Sequence, residues 1–153
     1  MKIVYQLLLL SVQAGITFVV LLGVYLLLAL LDYRGSFPAF IGLVAFQPLM
    51  GALLSLATIS LCVLVGLPLR LAAFGRWWRQ RTLLALGGAA AGVALLGLSL
   101  FLRGATASAG FTEPSVLALA SSGWFLLAFS LLHVFPPDTL LHRVGLLRTQ
   151  YSQ

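Results

Sequence analysis

"FGRWWRQR", Phe74 to Arg81, lies between two long apolar runs and interleaves three arginines with two tryptophans. Such a cluster suits a nucleic-acid patch, a clamp on an anionic ligand, or the level at which a membrane protein meets lipid headgroups. Its surroundings decide. Hydrophobic residues make up 61% of the 153-residue chain and charged residues only 8%, against roughly a quarter charged in a soluble domain. Too little polar surface remains to keep the folded chain in water. The apolar runs on both sides are long enough to cross a bilayer, which takes about 20 helical residues each.

Working outward from this cluster gives an all-α, integral membrane four-helix bundle forming a single domain over residues 1–153. The first span covers about 3–31. At about 1.5 Å per residue it exceeds a hydrocarbon core of ~30 Å, so it should tilt or protrude. Gly35 and Pro38 break the chain in "DYRGSFPAF". The second span covers about 40–69, the third 82–102 and the fourth 114–135. Pro114 suits a first helical turn, and Pro136-Pro137 stop the helix. Met1, Lys2 and the following apolar stretch through "SVQAG" resemble a signal peptide with a site after Ala14. Apolar character continues to Leu31, too far for a signal segment, so an uncleaved first span is expected.

Lysine and arginine fall unevenly on the two sides. Lys2, Arg70, Arg76, Arg79, Arg81, Arg143 and Arg148 lie on one side, and only Arg34 and Arg103 on the other. Positive residues favour the cytoplasm, so both termini and Phe74–Arg81 are expected there. Trp77 and Trp78 then anchor at headgroup level. Arg70, Arg76, Arg79 and Arg81 form a cytosolic basic face toward water and anionic lipid, and the same face suits an anionic regulator such as a nucleotide. No stable nucleic-acid complex is expected. The tail, 136–153, places Leu140, Leu141, Val144 and Leu147 at helical spacing behind Asp138, a suitable N-cap. This predicts a short amphipathic helix on the inner leaflet, or one docked on a partner.

No charged residue lies within the spans, which disfavours ion-coupled or proton-relay transport. Uncharged polarity is patterned instead. Gln47, Gly51, Ser55, Thr58 and Cys62 share an arc of about 80° on the second helix, while Gln13 and Thr17, with Gln6, share one side of the first. Two readings fit these stripes: hydrogen bonds between helices, or the lining of a water-filled path. Pro48, beside Gln47, removes a backbone donor and can kink the helix. On the third helix, Gly88 and Gly92, flanked by Ala85, Ala89 and Ser99, form a small-residue face for close helix packing, within the chain or between copies.

Catalytic constellations are missing from this pattern. The three acids are Asp32 and Glu113 on the outer side and Asp138 on the inner. Each outer acid has an arginine in its own connection as a simple partner. His133, His142 and Cys62 lack the spacing of a metal or haem site, and a single cysteine excludes an intrachain disulfide. His133 is expected to hydrogen-bond at the membrane interface. Ser121, Ser122 and Ser130 suit bonds to their own helix better than a nucleophile's role. Neither enzyme activity nor a cofactor is expected.

In architecture, four short spans with small outer connections and a basic cytosolic face resemble the small four-span membrane effectors of bacterial antiphage systems. That resemblance concerns topology rather than residues. It implies a bacterial inner membrane and a part in antiviral defence. The leading expectation is a homo-oligomeric pore or ion-channel-like protein among membrane lipids, its path lined by Gln47, Gly51, Ser55, Thr58, Gln13 and Thr17. The alternatives are a non-catalytic subunit of a larger membrane complex and a facilitator for a small solute.

Overall fold

The computed structural model describes residues 2–33, 35–70, 82–106 and 114–134. Trp77, Trp78, Arg76, Arg79, Arg81 and the expected amphipathic tail helix lie outside them, as does the side chain of Arg70. Among the described residues the chain forms α1 (Lys2–Leu31), α2 (Phe37–Arg70), α3 (Thr82–Thr106) and α4 (Pro114–Leu132). α2 begins three residues earlier than expected, and α3 runs on past Leu102 to carry Arg103 in its last turn.

Helix is the natural state of such runs in lipid, because every backbone N–H and C=O finds its partner within the segment. α2 therefore accommodates both Pro48 and Pro68 in its interior. Four stretches, Leu7–Leu31, Phe40–Pro68, Thr82–Gly104 and Pro114–Leu132, are long and apolar enough to cross a bilayer, with mean hydropathy from 1.9 to 2.6. α1, at 30 residues, is ~45 Å long and overshoots a ~30 Å core. α4 has 19 residues and closes with a tightened turn, its end marked by the His133 N–H bonding to the carbonyls of Phe129 (3.1 Å) and Ser130 (3.3 Å).

A tight connection turns α1 back into α2. The Asp32 N–H bonds to the Leu28 carbonyl at 3.0 Å, and the Tyr33 hydroxyl donates to the Ser36 carbonyl. The Tyr33 ring meets Phe40 edge-on at 5.6 Å between centroids. α1, α2 and α4 pack mutually, whereas α3 packs almost entirely on α4. Backbone contact explains the α3–α4 pairing. A Cβ on Gly92 would lie 2.7 Å from the Leu127 nitrogen and 2.9 Å from the Gly123 oxygen, and one on Gly123 would lie 2.9 Å from the Gly92 oxygen. One step along, Gly88 makes room for the hydroxyl of Ser130. The small-residue face of α3 is thus filled by α4 of the same chain.

Leu21, Ile59, Cys62, Leu96, Trp124, Leu127, Ala128 and Leu132 form the core. Large apolar side chains such as Val19, Phe46, Leu83 and Phe101 point outward. This inside-out distribution is what lipid rather than water calls for, and it matches an integral membrane protein.

Candidate functional site

Polar residues converge along the bundle interior, at levels set by the antiparallel helices. At one end, Arg103 Nη1 lies 3.0 Å from Asp32 Oδ2, both side chains half-exposed. The partner of Asp32 therefore comes from the last turn of α3, a different segment from the one the sequence pointed to. Deeper in, the Tyr25 hydroxyl on α1 donates to Gln47 Oε1 on α2 at 2.5 Å. Gly51 receives the Tyr25 ring, since a Cβ there would come within 2.5 Å of Tyr25 Cδ1.

The next level joins α2 to α4. Tyr25 meets Trp124 edge-on, with centroids 6.4 Å apart, and the Trp124 indole N–H donates to the Thr58 hydroxyl at 3.0 Å. Thr58 donates onward to the Leu54 carbonyl at 2.8 Å, and fully buried Ser55 donates to the Gly51 carbonyl at 2.7 Å. Thr17 is also fully buried, yet its hydroxyl has no hydrogen-bond partner.

At the far end, Gln13 Nε2 donates to the Val134 carbonyl at 2.6 Å and ties α1 to the end of α4. His133 is fully buried within the bundle. Its ring stacks on Phe129 at 4.3 Å, with Nδ1 2.8 Å from the Phe129 carbonyl oxygen. Gly66 of α2 gives the imidazole its space, because any Cβ there would occupy the ring's position.

The stripe residues Gln13, Thr17, Gly51, Ser55 and Thr58 are accordingly buried inside one protomer, with Gln47 half-buried beside them. Bonds between helices account for Gln13, Gln47 and Thr58. Two partners, Tyr25 and Trp124, were not singled out from the sequence. Tyr25 continues the fourfold spacing of Gln13, Thr17 and Leu21, a signal masked by the aromatic's usual role as a membrane-interface residue. For Trp124 the sequence offers no comparable cue.

Between the Asp32–Arg103 pair and the Tyr25–Gln47 bond lies a crevice of about 460 Å³. α1 lends it Leu28 and Ala29, α3 lends Leu96, Ser99 and Leu100, α4 lends Val116 and Ala120, and Gln47 is the contribution of α2. It exists because α3 leans on α4 and leaves α1 and α3 apart. The arrangement can hold a molecule between apolar walls, with hydrogen-bonding groups at both ends. Among the described residues, no three His, Cys, Asp or Glu side chains converge as metal ligands would. Comparison of the chain with protein-family models, curated proteins and solved structures gives no match.

Proposed function

We propose that this chain is a non-catalytic four-span membrane protein that binds a small neutral solute in the crevice beside Tyr25 and Gln47. The crevice itself carries the reading. Its volume of about 460 Å³ falls in the ~300–1,000 Å³ range of small-molecule sites, and a few placed polar groups among apolar walls are the usual composition of such sites. The charge asymmetry of the connections supports an orientation with both termini in the cytoplasm and the Asp32 end outside. A solute would then enter from the outer half of the bilayer or from the water above it.

The test fills the crevice. In detergent, 2-adamantanone, a compact neutral ketone, should raise the melting temperature saturably. Ala120→Trp, placed in the crevice wall, should abolish that rise while the unliganded protein melts normally. A ketone effect that survives in Ala120→Trp would sink the reading.

A second reading, a pore regulated by an anionic ligand at Arg76, Arg79 and Arg81, draws support from the succession of polar groups between the two ends and from the orphan Thr17 hydroxyl. Because the stripe residues are buried or half-buried within one protomer, such a path would run through the single bundle and not between copies. Single-channel steps in planar bilayers, lost in Gln47→Leu, would put this reading first. A role in antiphage defence belongs with it.

A further inference from the structure

We infer that the crevice selects a neutral molecule with an apolar body and a hydrogen-bond acceptor, a carbonyl foremost, received by the side-chain amide of Gln47. The inference rests on the crevice being the binding site proposed above. Gln47 lies at its deep end. Tyr25, its partner, stands seven residues before Asp32 on α1, or about 10 Å of helix from the ion pair at the mouth. The Tyr25 hydroxyl occupies Gln47 Oε1 at 2.5 Å and so fixes which way the amide faces. The NH₂ of Gln47 remains, with two donor hydrogens and no acceptor among the described residues.

The other polar groups narrow the choice. The Ser99 hydroxyl proton is committed to the Leu96 carbonyl at 2.7 Å. Asp32 and Arg103 neutralise one another at 3.0 Å, so the site offers no net charge to an ion. A charged ligand lodged against Leu28, Leu96 and Leu100 would lose its hydration without a counter-charge, at considerable cost. A donor-only ligand would leave both Gln47 amide hydrogens unpaired and would share Oε1 with the Tyr25 hydroxyl. An acceptor on an apolar body satisfies both the walls and the amide.

Lipid ester carbonyls and free ketone-like solutes share this chemistry. The experiment therefore uses a matched pair, 2-adamantanone and adamantane, and two bilayers, diester and diether. Ala120→Cys, on a Cys62→Ala background in nanodiscs, reports occupancy through its rate of labelling by N-ethylmaleimide. In diether lipid the ketone should protect at about fivefold lower concentration than the hydrocarbon, the worth of one net hydrogen bond. That preference should vanish in Gln47→Leu. Should that variant fail to fold, Tyr25→Phe, which releases the amide from its fixed orientation, should reduce it. Weaker ketone protection in diester lipid would identify the lipid carbonyl as the resident acceptor, and equal protection would identify a free solute. Equal protection by ketone and hydrocarbon would overturn the acceptor inference while leaving the crevice as a binding site. Protection by neither would overturn the binding site itself.

Discussion

The Trp124 indole N–H on α4 donates to the Thr58 hydroxyl on α2 at 3.0 Å, while that hydroxyl donates to its own helix at the Leu54 carbonyl. One oxygen thus serves as acceptor between helices and donor within one, and no polar hydrogen of the pair is left over. Thr58→Val keeps the shape and removes the acceptor, leaving a buried N–H alone. It should lower stability by about 1–2 kcal/mol. In a double-mutant cycle with Trp124→Phe the coupling should fall near ~0.6–1.7 kcal/mol, the range measured between membrane helices. Unfolding in mixed micelles gives the values; additive single effects would mean that the bond contributes nothing.

Gly92 and Gly123 allow the backbones of α3 and α4 to touch, with oxygens and nitrogens within 3.0 Å of where a Cβ would stand. Because neither backbone can yield, Gly92→Val should force the helices apart and destabilise the protomer by about 1–3 kcal/mol or more. The number of copies per nanodisc should stay the same, since this face is filled inside one chain. A variant with normal stability and fewer copies would instead assign Gly92 to a contact between chains.

The imidazole of His133 occupies the space above Gly66 that any side chain would take. Gly66→Ala should therefore destabilise the bundle through overpacking, by about 1–3 kcal/mol. Adding His133→Ala should recover part of that loss, because it removes the ring that the new methyl strikes. A double variant that loses the full sum of both single effects would show that the two residues do not meet. Unfolding of all three variants under one set of conditions decides the matter.

The four helices are legible in the chain because lipid imposes one dominant rule, continuous apolarity with internal backbone bonding. The stripe on α2 is legible for the same reason: Gln47, Ser55 and Thr58 in lipid must face protein, and spacing alone puts them on one side. What covers the stripe is not legible. Partner choice depends on how helices rotate and lean against one another, and in lipid small differences in packing determine this. Trp124 therefore draws no attention in the sequence, and its place shows only once its N–H is found on Thr58. Arg103 reads as a loop residue until α3 continues far enough to set it beside Asp32. The crevice is harder still to foresee, because it is a gap left by the way α3 sits on α4 and belongs to no single residue's chemistry.

Thr17 presents the reverse case to Thr58. It is fully buried, and its hydroxyl meets neither donor nor acceptor. Replacing it with valine keeps the volume and removes a polar group that has lost its solvation without compensation. Thr17→Val should therefore stabilise the bundle, by about 1 kcal/mol, while Thr58→Val destabilises it. The opposite signs of two chemically identical substitutions, both on inward-facing stripes, would show that the interior at this level is dry and packed. The outcome also separates the two functional readings. In a path filled with water the Thr17 hydroxyl would be hydrated, and its removal would be neutral or destabilising and would change conductance. Loss of stability in Thr17→Val, together with altered single-channel current, would therefore favour a conducting bundle over a binding protein. Stabilisation with unchanged ketone binding would leave the crevice at the Asp32 end as the working part of the molecule.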